Sequence, residues 1–201
     1  MKHLYVEGKR DDLPTLLLLH GTGGDERDLL PIADIIAPEA AVLSVKGNVL
    51  ENGMPRFFRR LSEGVFDEED LIFRTKELND FVTECAEKYK FKRNHVVAIG
   101  YSNGANIAAS MMYHHAGALH GAVLFHAMVP RHGITLPDLT GVSVFIGAGK
   151  RDPLIPADQT ELLSSHLRDA GADVTQVWTE QGHQLTREEL MKASGWFKEK
   201  Y

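Results

Sequence analysis

Short runs of apolar residues alternate along the chain with longer segments in which apolar residues recur every three or four positions. The short runs predict strands at 15–20, 41–45, 95–100, 121–126, 142–147 and 174–178. The longer segments predict helices at about 25–37, 70–89, 103–114 and 157–170, and a last helix that opens on the T-x-x-E capping box of Thr186 and Glu189. This alternation predicts an α/β fold with a mostly parallel sheet and helices on both faces.

The connection at 46–69 has no clear hydrophobic period. It is long for a compact domain, so we expect a loop that flanks a binding site. The whole chain, 1–201, fits a single domain of ordinary size that can bury a large core.

Charge and cysteine content narrow the class of protein. The net charge is -6 and the basic residues are scattered among acidic ones, which argues against nucleic acid as a partner. The one basic cluster, at 56–60, precedes an acidic stretch at 63–70; a solvated, self-neutralising surface is favoured there over an anion site.

Cys85 is the only cysteine and is interpreted as a packing residue. Because no apolar run could serve as a signal peptide or cross a membrane, we expect a cytoplasmic enzyme or binding protein.

A candidate nucleophile lies between a predicted strand and a predicted helix. The sequence Gly100-Tyr101-Ser102-Asn103-Gly104 has the G-x-S-x-G pattern of a strand–turn–helix elbow that exposes a serine. The pattern alone is weak evidence. A serine hydroxyl barely ionises at neutral pH, so a base and a group that orients the base are also needed.

Two later strands end at residues that can meet this need. Asp152 follows the strand at 142–147, and His183 follows the strand at 174–178. Each has an ordinary alternative reading, as a turn residue or as part of a connection. Together, in the order Ser, Asp, His and at strand ends that meet at one edge of the sheet, they predict a catalytic triad.

Other residues near the strand ends are assigned lesser roles. The glycine-rich loop at 20–24 predicts an oxyanion hole formed by the backbone N–H groups of Thr22 and Asn103. It does not match the phosphate-loop patterns. His126 and His132 are read as pocket-rim residues that lack the spacing and the carboxylate partners of a metal site, so we expect neither a metal nor another cofactor.

With these residues assembled, the sequence resembles the phospholipase/carboxylesterase family of small α/β-hydrolases. The resemblance rests on LLLLHGTGGDERDLL, RFFRR, GYSNGAN, GAGKRDP and GHQLT, and it is strongest with a bacillus-type carboxylesterase branch. It implies Ser102 as nucleophile, Asp152 as orienting acid and His183 as general base. One departure is Asn103, where the thioesterase branch usually has glutamine.

The resemblance places the connection at 46–69 over the active site, and the chain has no insertion large enough for a cap domain. Met54, Phe57 and Phe58 are therefore candidates for the substrate pocket, although Phe57 and Phe58 could equally pin the loop to the core. Met128 is a further candidate. A shallow, open pocket predicts small, soluble esters as substrates. An acyl-thioesterase or lysophospholipase, and a catalytically silent ligand-binding protein, remain as alternatives. Whether the chain is a monomer or a homodimer stays open, and no membrane partner is expected.

Overall fold

The computed structural model describes all residues from 1 to 201 and contains eleven strands and five helices. The strands are β1 (His3–Val6), β2 (Thr15–Leu19), β3 (Val42–Val45), β4 (Val49–Glu51), β5 (Met54–Arg56), β6 (Arg60–Ser62), β7 (Val65–Phe66), β8 (Val96–Tyr101), β9 (Gly121–Phe125), β10 (Ser143–Gly149) and β11 (Asp173–Thr179). The helices are α1 (Leu30–Ile36), α2 (Glu68–Tyr89), α3 (Asn103–His114), α4 (Ala157–Asp169) and α5 (Arg187–Lys200).

The central sheet has seven strands in the order β1-β3-β2-β8-β9-β10-β11, and all neighbours except β1 and β3 are parallel. The predicted α/β fold with a mostly parallel sheet is confirmed. The antiparallel edge strand β1 is absent from the sequence-based prediction because its residues are half-exposed and carry no long apolar run.

Helices cover both faces of this sheet, and β2 shows why its strands are apolar throughout. Leu17 and Leu19 pack into one core cluster with α2, α3 and α4, while Leu16 and Leu18 pack into a second cluster with α1 and α5. Alternate side chains of a strand point to opposite faces, so a strand covered on both sides has no polar positions. No helix combines the length and apolar character needed to cross a bilayer.

The first helix is shorter than the predicted segment at 25–37. It begins at Leu30, after a series of turns, and Pro31 occupies its first turn. Proline is favoured there because its missing N–H would be unpaired in any case. The apolar periodicity is present from residue 25, but the helix itself begins only at Leu30.

The connection at 46–69 is not an irregular loop but two small hairpins, β4–β5 and β6–β7. The first turns at Asn52 and Gly53, which both have positive φ angles, 51° and 81°. Asn-Gly is the preferred pair for such a turn, so this signal was present in the sequence. The strands have only two or three residues each, too short for a period to be read.

Candidate active site

Ser102 stands at the turn between β8 and α3 with backbone angles of φ 52° and ψ -114°. A non-glycine residue at such angles is strained and is kept there only by its surroundings. Its N–H donates to the carbonyl of Phe125, at the end of the neighbouring strand β9 (2.9 Å). The elbow is therefore anchored to the sheet, and it holds the hydroxyl at the sheet's carboxyl edge.

The two glycines of the elbow allow close packing that no side chain could share. A Cβ added to Gly104 would lie 1.9 Å from the carbonyl oxygen of Leu19, and one added to Gly100 would lie 2.6 Å from the Cα of Ala105. Both contacts are with backbone atoms. The predicted need for residues without a side chain at these two positions therefore has a direct steric cause.

The other two predicted triad residues lie next to Ser102. Nε2 of His183 is 3.0 Å from Oγ of Ser102, and Nδ1 of His183 is 2.8 Å from Oδ2 of Asp152. Because an ionised carboxylate only accepts, Nδ1 carries the ring proton and Nε2 is free to accept from the serine hydroxyl. The hydroxyl of Tyr101 donates to the carbonyl oxygen of His183 (2.8 Å) and holds the histidine loop against the elbow.

The carboxylate of Asp152 accepts from four donors. The N–H groups of Leu154 and Ile155 donate to Oδ1 at 2.9 Å and 3.1 Å, and the rings of His183 and His126 donate to Oδ2 at 2.8 Å and 2.9 Å. Burial alone would raise the pKa of Asp152. The hydrogen bonds from His183, Leu154 and His126 outweigh it and hold that pKa below its usual value. The aspartate is thus kept ionised behind His183.

His126 is not at the rim of the pocket, as its sequence position suggested, and the expected absence of carboxylate partners is wrong for it. Its side chain is fully buried, with Nδ1 on Asp152 and Nε2 3.2 Å from Oε1 of Glu189. Glu189 was recognised only as a capping-box residue. No local pattern links these residues, because they come from the ends of different elements. His132, by contrast, is exposed.

The ring nitrogens of His126 and His183 and a carboxylate oxygen of Asp152 lie within 4.8 Å of one another, so they form a possible metal-ligand set. Both nitrogen–oxygen distances are below 3 Å, as in direct hydrogen bonds. Ligands bound at 2.0–2.1 Å to one tetrahedral ion stand about 3.3 Å apart. The geometry therefore fits a hydrogen-bonded cluster better than a metal centre.

The glycine-rich loop after β2 is fixed by two side chains. His20 Nδ1 donates to the carbonyl of Gly21 at 2.6 Å, and Nε2 accepts from the Gly47 N–H at 3.0 Å. Arg56 donates from a terminal nitrogen to Oγ1 of Thr22 at 2.6 Å. Thr22 is thereby held at the wall of the same cavity as Ser102.

The side chain of Asn103 has a structural task that the sequence left unexplained. Its Oδ1 accepts from the backbone N–H of Phe57 at 2.8 Å. Both groups are buried, so the bond is protected from competition by water. The residue after Ser102 therefore ties the segment that carries the two hairpins to the elbow.

A cavity of about 330 Å³ opens at Ser102 and His183, and only one of the four candidate pocket residues lines it. Met128 lines it together with Phe66, Leu154 and Ile155. The other three lie elsewhere: Phe57 and Phe58 are fully buried in the core, as the alternative interpretation held, and Met54 is 41% exposed on the hairpin β4–β5. Burying two adjacent bulky rings in the core stabilises the fold more than leaving them exposed to an open cavity.

The basic cluster at 56–60 is only partly the solvated surface that was favoured. Arg56 is 3% exposed, and both Arg56 and Arg60 line the cavity. Their guanidinium groups share the carboxylate of Glu51, at nitrogen–oxygen distances of 3.1 Å and 2.9 Å. The neutralising acid for these two arginines comes from the preceding hairpin strand and not from the acidic stretch that follows them.

Comparison with known proteins agrees with this arrangement. The sequence profile of the dienelactone hydrolase family matches residues 59–193, which include Ser102, Asp152 and His183. The chain belongs to the dienelactone hydrolase family. This dienelactone hydrolase family member is 57% identical to MhqD of Bacillus subtilis (strain 168) over 199 residues, or 99% of this chain and 98% of MhqD.

Solved structures place the same family member among small carboxylesterase-like hydrolases. The crystal structure of the Bacillus cereus carboxylesterase is 61% identical, with a TM-score of 0.99 over 100% of this chain and 95% of that one. The structure of YahD with malic acid is 35% identical, with a TM-score of 0.94 over 100% and 99% of the two chains. The predicted resemblance to small carboxylesterase-like α/β-hydrolases is confirmed.

Proposed function

We propose that this protein is a serine carboxylesterase that hydrolyses small, short-chain esters through Ser102, His183 and Asp152. The observation that carries the proposal is the continuous hydrogen-bonded chain from Asp152 through His183 to Ser102, whose last two members face the cavity. A serine, a base within hydrogen-bond reach and a carboxylate that orients the base are the parts that nucleophilic catalysis requires.

In the first half-reaction, Oγ of Ser102 attacks the ester carbonyl carbon while Nε2 of His183 takes the hydroxyl proton. The carbonyl oxygen becomes an oxyanion, which the N–H groups of Thr22 and Asn103 receive. When the carbon–oxygen bond to the alcohol breaks, His183 returns the proton to the leaving oxygen. The product is an acyl-enzyme on Ser102 and a free alcohol.

In the second half-reaction, water replaces the alcohol and follows the same steps in reverse. His183 removes one proton from the water as its oxygen attacks the acyl carbon, and then gives that proton back to Oγ as the acid departs. Because His183 must be neutral to start either half, activity is expected to fall as the pH is lowered and the ring takes up a proton.

The cavity supports a preference for small substrates. Its volume of 330 Å³ lies at the lower end of ligand pockets, which run from about 300 to 1,000 Å³. Arginine and asparagine side chains form part of its wall, so it is not a uniformly apolar acyl channel. The malic acid in the YahD structure, a small polar acid bound to a relative, is consistent with a pocket of this kind.

We expect kcat/KM to be higher for p-nitrophenyl acetate and butyrate than for the palmitate ester or a palmitoyl thioester. The physical reason is that a long chain extends beyond the apolar part of the cavity and leaves its methylene groups in water. Initial rates measured with the four substrates under identical conditions check this expectation. A preference for either palmitoyl substrate would contradict the short-chain proposal and favour a thioesterase or lysophospholipase.

The catalytic assignment is tested by covalent labelling with a fluorophosphonate. We expect the wild-type protein to take up one label per chain and Ser102→Ala to take up none, because only an activated serine attacks the phosphorus atom. Ser165→Ala, at an exposed position of α4, is the matched control and should label like the wild type. A wild-type protein that takes up no label would instead indicate a ligand-binding protein without catalytic activity.

A further inference from the structure

His126 has an unfavourable backbone conformation that the surrounding structure must hold in place. It follows β9 with a φ of 54°, and its N–H donates to the carbonyl of Gly147 on β10 at 2.8 Å. Positive φ is costly for a residue with a Cβ, and it often marks a site where a side chain has to point in one direction. Here the backbone directs the imidazole inward, behind Asp152 and away from solvent.

The imidazole joins two buried carboxylates. Nδ1 lies 2.9 Å from Oδ2 of Asp152, and Nε2 lies 3.2 Å from Oε1 of Glu189, although this second contact is poorly aligned for a hydrogen bond. The other oxygen of Glu189 accepts from the N–H and the hydroxyl of Thr186 at 2.9 Å and 2.7 Å. The capping box of α5 therefore fixes Glu189 while its free oxygen faces His126.

The burial of Glu189 requires a positive partner. Its side chain is fully buried, and the side chain of Asp152 is 1% exposed. A buried carboxylate without a compensating charge is strongly unfavourable, and His126 is the one basic side chain that forms an ion pair with Glu189.

The titratable groups that face His126 are Asp152, Glu189, His183 and Tyr101, whose ring is in edge contact with it. Burial alone would lower the pKa of His126, but Glu189 and then Asp152 outweigh it, so that pKa lies above the ordinary value. Burial alone would raise the pKa of Glu189, but His126 and then Thr186 outweigh it and hold that pKa below its ordinary value. Both directions favour an imidazolium between two carboxylates.

We propose that His126 is a positioning residue, held as an imidazolium between Asp152 and Glu189, that fixes Asp152 and sets the pH at which His183 can act as a base. The inference rests on the proposed function of Ser102, His183 and Asp152. With His183 neutral, the buried cluster carries one net negative charge. When His183 takes the serine proton, the charges of the cluster sum to zero.

The positive charge of His126 has a defined consequence for pH dependence. The rings of His126 and His183 are 5.2 Å apart, so a proton on His126 opposes protonation of His183. The charge on His126 therefore counteracts the attraction that Asp152 and Glu189 exert on a proton at His183. Activity should accordingly persist further into the acidic range than in a protein that lacks the charge.

His126→Asn tests this proposal, because asparagine keeps an N–H donor near the position of Nδ1, removes the charge and tolerates positive φ. We expect the acidic midpoint of kcat/KM to move upward by about one pH unit. A shift below about 0.3 pH unit, whatever the change in kcat, would overturn the electrostatic role. His95→Asn is the matched control: His95 precedes β8, at the opposite end of that strand from Ser102, and should leave the midpoint unchanged.

A second measurement depends neither on the His126→Asn variant nor on catalysis. In ¹⁵N NMR spectra of the wild-type protein, both ring nitrogens of His126 should have imidazolium shifts at pH 7, and Glu189→Gln should make the ring lose its proton at a lower pH. A neutral His126 ring throughout pH 5–8 would overturn the proposal. If the wild-type protein takes up no fluorophosphonate while His126 is charged, the catalytic assignment fails and the charged cluster stands.

Discussion

Replacing Asp152 with asparagine is expected to lower kcat by about 10⁴-fold, the loss found when the orienting carboxylate of a serine–histidine pair is neutralised. The reason lies in the four donors around this carboxylate. Two backbone N–H groups face Oδ1, and two imidazole N–H groups face Oδ2. Asparagine has one acceptor oxygen and one NH₂ group, so one pair of donors must face another donor in either orientation.

If the NH₂ group faces the rings, His183 is driven to the tautomer whose Nε2 carries a proton and cannot accept from Ser102. If it faces the backbone, the loop that carries residue 152 loses two hydrogen bonds. Kinetics with a short-chain p-nitrophenyl ester and thermal unfolding of the same variant distinguish the two cases. Asp11→Asn, at an exposed position, is the matched control. A kcat within tenfold of the wild-type value would contradict the role of Asp152.

Gly104→Ala is expected to destabilise the fold by about 3 kcal/mol or more, because the added methyl group meets backbone atoms that cannot move aside. The Cβ would lie 1.9 Å from the carbonyl oxygen of Leu19 and 2.6 Å from that of His20. Gly104 is not among the residues with positive φ, so alanine would be acceptable there on conformational grounds. The measured loss is therefore the cost of the close approach of α3 to β2, less the small gain that alanine brings in helix propensity.

Gly195→Ala is the matched control for that substitution. Gly195 lies within α5, and nothing is within 4 Å of a Cβ added there. Alanine is the better helix former, so this variant should gain about 0.5–1 kcal/mol. Urea unfolding of both variants, with the free energies extrapolated to water, gives the comparison. A loss below about 1 kcal/mol for Gly104→Ala would mean that the elbow can relax around the methyl group.

Much of the fold could be predicted because the signals are local. β2 is apolar on both faces only because helices cover both faces of the sheet, and a single stretch of sequence shows this. The capping box at Thr186 and the helix from Asn103 to His114 are likewise indicated by residues close together in the sequence. The candidate site followed from one further rule, that the carboxyl ends of parallel strands meet at one edge of the sheet.

The cluster behind Asp152 could not be predicted in the same way. The local sequence accounts for Glu189 only as part of a capping box, and His126 follows a strand with no motif around it. Their meeting depends on how α5 packs against β10 and β11, next to the end of β9, which is a tertiary contact. For the same reason, Phe57 and Phe58 fitted a substrate pocket and a core equally well until the course of the hairpins was known.

The hydrogen bond from the Phe57 N–H to Asn103 has a consequence for how this scaffold can diversify. The two hairpins supply Arg56, Arg60 and Phe66 to the cavity wall, yet they are joined to the elbow at one buried point. Arg60 and Phe66 make no hydrogen bond to the elbow, so their replacement leaves this attachment in place, but Arg56 also donates to Thr22. Substrate preference can therefore change by substitution at Arg60 and Phe66, whereas Arg56 is constrained by its contact with Thr22.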